Sequence, residues 1–163
     1  MIRAHDFRRL LVLPLAGLAL LAAPAQAQFS QGYKFLEAVK KKDGQKVEDA
    51  INEPGSTIIN TRDVTSGESA LHLVTNRRDL TWMTYLLAKG ANPNLRDSKG
   101  QTPLQLAINL GFVEGVQLLV SRKADINESN DAGETQAIRA AHRPDLGMRR
   151  ILLKAGADPD RAD

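Results

Sequence analysis

The sequence predicts an all-α fold assembled from stacked pairs of short helices, and three observations predict it. A pattern recurs at a fixed offset: GESALHLVTNRRDLTWMTYLLAKGANPN, GQTPLQLAINLGFVEGVQLLVSRKADIN and GETQAIRAAHRPDLGMRRILLKAGADPD begin at residues 67, 100 and 133, in register without gaps. A fixed period of this kind marks a repeat array. The middle copy holds two short apolar runs at helical spacing. Turn-forming Gly, Asn and Asp residues then close each copy and reverse the chain into the next.

Taken in order, the chain opens on a segment that stands apart from the array. Arg3, Arg8 and Arg9 face one acid, Asp6, and residues 10–23 form an apolar run of fourteen. That run is short for a membrane-spanning helix. The small residues Ala25 and Ala27 then flank Gln26 in the arrangement a signal peptidase reads. Residues 1–27 are therefore expected to be a secretory signal peptide, cleaved after Ala27, with a retained anchor as the alternative. The Arg8-Arg9 pair matches a twin-arginine export signal only loosely, so general secretion is the default route. No cysteine occurs, which excludes a lipid-anchored lipoprotein, disulfides, thiol catalysis and cysteine-based zinc sites.

Setting the leader aside changes the charge balance. The whole chain has 22 basic and 19 acidic residues; the leader holds three and one of them, leaving 19 against 18. Near neutrality gives no support for nucleic-acid binding. The runs Lys40-Lys41-Lys42 and Arg149-Arg150 read as solvated helix faces. Residues 28–163 have the length of one domain.

Within the array, Ser69, Thr102 and Thr135 stand two residues after Gly67, Gly100 and Gly133, where a helix N-cap hydroxyl would accept a backbone N–H. Pro103 suits the first helical turn. Leu104, Leu106, Ala107 and Ile108 form the apolar side of a first helix that Gly111 ends. A second helix over residues 113–122 places Val116, Leu119 and Val120 at helical spacing. Gly90 and Gly156 can then stop the second helix in a left-handed conformation, and the following Asn and Asp residues can bond their own backbone. Lys123 occupies the same column, which predicts a strained backbone there.

Upstream, residues 33–60 read as a degenerate first copy: a helix around FLEAV, a break at Gly44, a second helix over residues 47–51, and Asn60 in the column of Asn94 and Asn127. Asn60 and Gly67 are seven positions apart, where Asn94 and Gly100, and Asn127 and Gly133, are six. One residue is therefore inserted in the first hairpin.

The motif G-x-T-P-L-x-L-A, then G-x-x-x-x-V-x-L-L, then A-D-I-N resembles the ankyrin repeat. The resemblance covers almost all of residues 28–163 in about four copies, near 30–63, 64–96, 97–129 and 130–162. It implies an all-α ankyrin-repeat solenoid of helix-turn-helix units joined by β-hairpin-like loops, with no cofactor. Terminal copies face water on one side and are expected to depart from the pattern.

Candidate chemistry is sparse. Ser69 and His72 lie three apart on one helical turn, as a nucleophile and its base could, but no third group to orient the base is evident. The structural alternative has Ser69 capping the helix and His72, in a position where the ankyrin pattern also has histidine, bonding neighbouring loop backbone. His142 stands alone, which makes a poor metal site. Gly111 and Gly115 near a helix start lack the Gly-Lys-Ser/Thr of a phosphate loop. Trp82 and Tyr85 are expected to fill space between repeats, and Asn127-Glu128-Ser129 is a glycosylation sequon by pattern alone.

A non-catalytic protein-interaction module, periplasmic or secreted and monomeric, follows as the expected function. An inhibitor or immunity-type partner of an exported enzyme or toxin is the alternative, and an enzyme or small-ligand protein on this scaffold a third reading. The resemblance implies binding through hairpin tips and the exposed side of the first helices. In this sequence those columns are Thr65, Ser66, Glu68, Asn76 and Arg77, then Ser98, Lys99, Gln101, Asn109 and Leu110, then Asp131, Glu134, His142 and Arg143, with Arg77, Leu110 and Arg143 as anchors. The partner is a protein of unknown identity. No nucleic acid is expected, nor a membrane once the leader is removed.

Overall fold

The computed structural model describes residues 23–127 and 146–156, which form seven α-helices and one 3₁₀ turn. The first pair is α1 (Ala23–Lys41) and α2 (Gly44–Asn52), followed by the 3₁₀ turn Ile58–Asn60. The second pair is α3 (Ala70–Asn76) and α4 (Leu80–Ala88), the third α5 (Pro103–Leu110) and α6 (Val113–Ser121). α7 (Leu146–Lys154) is the second helix of the fourth repeat. Of the expected leader, residues 1–22 lie outside the described residues, and α1 runs across the expected cleavage position after Ala27. No helix among the described residues is long and apolar enough to cross a membrane.

The sequence signals act where the pattern placed them. Thr102 accepts the Gln105 N–H at its hydroxyl (3.3 Å), while Gln105 Oε1 accepts the Thr102 N–H (3.0 Å), so two otherwise unpaired donors at the start of α5 are satisfied reciprocally. Pro103 follows as the first helical residue, and Gly111 ends α5 at φ 64°. Lys123 adopts φ 63°, the strained conformation its column predicts. Arg78 (φ 55°) does the same one repeat before Gly111, and Lys42 (φ 58°) does so between α1 and α2. Gly44 differs from expectation: Lys42 makes the break, Asp43 caps α2 by accepting the Lys46 N–H at 3.2 Å, and Gly44 is the first residue of α2.

Packing runs in two rows. α1 packs on α3 and α3 on α5, while α4 packs on α6 and α6 on α7. Phe35, Leu36 and Val39 from α1 meet Leu71 and Val74 from α3; Leu104, Ala107 and Ile108 carry the same face forward. Met83, Leu86, Val116, Leu119, Met148 and Leu152 line the second row. Each such side chain contributes about 1.5–3 kcal/mol on burial, which no isolated helix of eight or nine residues could supply for itself. Leu106 was expected in this face but is only half-buried, because it points away from the Leu104, Ala107 and Ile108 stripe. Trp82 and Tyr85 are half-buried against the core, with rings 5.9 Å apart and edge-on at 72°.

Between pairs the chain makes hairpin-like turns without forming a strand among the described residues. Arg62 and Ser69 form an isolated antiparallel bridge. The Asp63 N–H donates to Glu68 O at 2.8 Å, and the Asp97 N–H donates to Gln101 O at 2.9 Å. The first hairpin thus closes over five positions and the second over four, which locates the inserted residue. A further difference was not anticipated: Asp43 and Asn60 are seventeen positions apart, where Asp79 and Asn94 are fifteen. The two additional residues fall in the stretch around residues 53–57, where Gly55 (φ 75°) makes a turn and the Ser56 hydroxyl donates to Ala50 O at 2.8 Å.

Candidate partner-binding surface

The two described hairpins stack tip on tip. Ser98 donates its N–H (2.9 Å) and its hydroxyl (2.7 Å) to Ser66 O, and Arg62 Nη1 donates to Arg96 O at 2.8 Å. Gly67 permits this approach: a Cβ there would lie 2.5 Å from Ser98 N, and its φ of 69° is also one that L side chains avoid. Inside each tip one aspartate organises the turn. Asp63 Oδ1 accepts the N–H groups of Thr65 and Ser66, both at 2.9 Å, and Asp97 Oδ1 accepts those of Lys99 and Gln101, both at 2.8 Å. The Ser66 and Thr65 N–H groups hold the Asp63 carboxyl below the usual carboxylate range.

Beneath the tips, His72 joins one repeat to the next. Its Nδ1 accepts the Ser69 N–H at 3.2 Å, so the proton of the neutral ring sits on Nε2 and is donated to Gln101 O at 2.9 Å. Ser69 Oγ lies 2.8 Å from the same Nδ1. Ser69 and His72 are 1% and 0% exposed, so the pair that resembles a nucleophile and base cannot be reached by a substrate. Burial depresses the His72 pKa, and this outweighs the bond to Gln101 and the charges of Asp97 and Glu68, which favour the protonated ring. Gln105 takes the histidine's column in the next repeat. Its Nε2 is buried without a hydrogen-bond partner among the described residues. One repeat after Gln101 stands Glu134, outside the described residues.

A second set of ties runs along the bases of the hairpins. Asn60 Oδ1 accepts the Asn92 N–H (2.8 Å), Asn94 Oδ1 accepts the Asp125 N–H (2.9 Å), and Asn127 Nδ2 donates to Gly156 O (3.2 Å). The neighbouring column makes the local turns that the pattern predicts: Asn92 Oδ1 accepts from Asn94 N and Asp125 Oδ1 from Asn127 N. The recurrence of Asn at 60, 94 and 127 was visible in the sequence, but not that it reaches the following repeat.

The expected binding residues divide three ways. Thr65, Ser98 and Lys99 are exposed at the tips, and Asn76 is exposed at the end of α3. Ser66, Glu68, Gln101, Asn109 and Leu110 are half-buried; Ser66 and Gln101 give their carbonyls to the stacking bonds above, and Leu110 packs against the core while its carbonyl accepts from Arg78 Nη2. Asp131, Glu134, His142 and Arg143 lie outside the described residues. Arg77, expected as an anchor, turns inward. Its Nη1 donates to Val39 O (2.7 Å), its Nε to Asp79 Oδ2 (3.3 Å), and its guanidinium lies 5.6 Å from the centre of the Trp82 ring.

Asp79 is the hub of that inner cluster. It caps α4 by accepting the Trp82 N–H and pairs with Lys42 Nζ at 2.8 Å. Burial disfavours its charge, but the Lys42 bond, the Trp82 N–H and the nearby Arg77 together hold its pKa below the usual carboxylate value. Asp43, Asp79 and Asp145 share a column and Arg143 repeats Arg77, but no column shows that Arg77 and Asp79 meet Lys42 and the Val39 carbonyl of the preceding repeat. Among the described residues no group of three His, Cys, Asp or Glu side chains is placed to hold a metal ion.

This geometry is that of stacked, hairpin-linked helix pairs, and a family model that spans three ankyrin repeats matches twice, over residues 35–130 and 71–163. The chain belongs to the ankyrin-repeat family. It is 33% identical over 128 residues to ANK repeat-containing protein nipk-1 of Caenorhabditis elegans, covering 69% of this chain and 21% of that protein. It is 32% identical over 98 residues to the human transient receptor potential cation channel subfamily A member 1, covering 60% and 9%, and 32% identical over 110 residues to human neurogenic locus notch homolog protein 1, covering 67% and 4%. The chain thus spans about a fifth or less of the length of these relatives. Ankyrin repeats are generally protein–protein interaction modules without catalytic activity of their own.

Proposed function

We propose that this chain is an exported protein-interaction module, delivered to the periplasm or beyond, that binds one protein partner through its hairpin tips and the adjoining face of its first helices. The observation that carries the reading is the stacking of the tips. Bonds from Ser98 to Ser66 and from Arg62 to Arg96 fix one tip against the next, while Thr65, Ser98 and Lys99 remain exposed. A preorganised surface loses little conformational freedom on binding. The inward turn of Arg77 moves the expected contacts toward the tips and Asn76. Export rests on the basic, apolar and small-residue order of residues 1–27.

Two measurements test this. A fusion of the full chain to a reporter active only outside the cytoplasm is expected to be active, and the processed chain is expected to begin at Gln28; an inactive, unprocessed fusion overturns export. A partner captured from the same compartment is expected to bind a Thr65→Arg, Lys99→Glu variant at least about tenfold more weakly at an unchanged melting temperature. Undiminished binding by that variant overturns the choice of surface.

A further inference from the structure

The first repeat departs from the other copies in three ways, and the departures converge on one groove. α1 is nineteen residues long, fourteen of them (28–41) in the processed chain proposed above, where α3 has seven and α5 eight; the stretch around residues 53–57 carries the two additional residues, and the first hairpin carries one more. Between these elements lies an open groove of about 1040 Å³. α1 is pinned along one side by the close approach of Gly32 to Thr61, where a Cβ would lie 2.7 Å from Thr61 Cγ2. The opposite wall is braced by the Ser56 bond to Ala50.

The lining has two chemical parts. Tyr33 and Val64, 62% and 81% exposed, stand over a floor that includes Leu36 and Ile58. Isolated apolar side chains on a surface are ordinary, but these two face one concavity. The charged lining is Glu53, Asp63 and Asp97 against Arg62, a net of two negative charges. The fully buried lining residues, Gly32 and Leu36, are apolar, while the polar lining residues are half-buried or exposed. The volume also reaches the upper end of the roughly 300–1,000 Å³ of small-molecule pockets.

Building on the interaction-module reading, we infer that this groove docks an extended segment of a protein partner in which aliphatic side chains alternate with Lys or Arg. The aliphatic groups cover Tyr33, Val64 and Ile58, and the basic groups meet the three carboxylates. Charge complementarity of this kind governs the choice of segment and the rate of encounter more than the final affinity.

The test is to pan a library of displayed twelve-residue peptides against the purified protein and measure the recovered peptides by fluorescence anisotropy. Recovered sequences are expected to be enriched in Lys or Arg beside Leu, Ile or Val, and to bind a Glu53→Lys, Val64→Glu variant at least about tenfold more weakly. Both positions are exposed, so the melting temperature of the variant is expected to match that of the native protein; a lowered one transfers the test to Glu53→Lys alone. Binding is also expected to weaken as salt is raised. Peptides without basic enrichment, or with equal affinity for the variant, overturn the groove. If such peptides instead bind a Lys99→Glu variant more weakly, at a tip position outside the groove lining, the interaction-module reading stands and only the groove falls. Recovery of no peptide overturns the groove, while the captured-partner measurement judges the wider reading separately.

Discussion

The junction between the first and second repeats and the junction between the second and third are built differently. In the second junction the ties follow columns: His72 to Gln101, Ser98 to Ser66, Arg62 to Arg96, Asp125 to Asn94. The first junction keeps the asparagine tie, from Asn92 to Asn60, and adds the Arg77 guanidinium reaching the Val39 carbonyl beside the Lys42–Asp79 pair. A regular junction can rely on backbone geometry repeating at 33 residues. Where α1 is longer and two insertions break the register, the Arg77 and Lys42 side chains take over the connection.

The largest expected effect tests whether burial alone holds both junctions. Leu119→Ala removes a fully buried side chain between α6 and its neighbours and is expected to cost about 2–5 kcal/mol in urea denaturation. Leu106→Ala, at the half-buried position, is expected to cost clearly less. Equal costs would mean that burial does not rank these two positions.

Next comes the irregular junction. Arg77→Ala is expected to lower stability by roughly 1.5–3 kcal/mol, because a charge-assisted bond to Val39 and a partly buried pair with Asp79 are lost together. Arg62→Ala, at an exposed position of the regular junction, is expected to stay below about 1 kcal/mol. A reversed order in chemical denaturation would break the contrast drawn between the junctions. Smaller than the Arg77 effect, Thr102→Ala is expected to cost about 1 kcal/mol by removing the cap of α5, with the circular dichroism spectrum otherwise unchanged.

The smallest effect at neutral pH belongs to His72. Its folded pKa lies below its unfolded value near 6.5, so as the pH falls through that value the unfolded chain takes up a proton that the fold resists. Stability is therefore expected to be full above about pH 7.5 and to decline as the pH drops below about 6.5. In a His72→Gln variant, which places the Gln105 residue type in that column, this part of the decline is expected to vanish from the melting temperature measured against pH. An unchanged pH profile would remove His72 as the acid-sensitive tie.

The difference between the junctions also explains what the sequence made legible. Thr102, Pro103, Gly111, Lys123 and the inserted hairpin residue were readable because each acts through local backbone conformation, which a column of equivalent positions exposes. The direction of the Arg77 side chain was not, since it depends on Val39 and Trp82 reaching it from other elements. Leu106 misled for a related reason: on so short a helix the apolar stripe covers Leu104, Ala107 and Ile108, and Leu106, about 200° round the helix from Leu104, faces away from it. On the expected surface, the exposed tips were legible as loops, whereas the groove beside α1 arises from the three places where the first copy breaks the pattern.

The inter-repeat side-chain bonds described above join partners 29 to 38 positions apart, about one repeat length. Wiring of this span gives the molecule the mechanics of a zipper. Pulled from its two ends, it is expected to yield as a succession of modest steps, each releasing about one unit of chain, because the ties that resist at any moment are those between the outermost pair. A lattice of contacts between distant parts of the chain would instead give way at once.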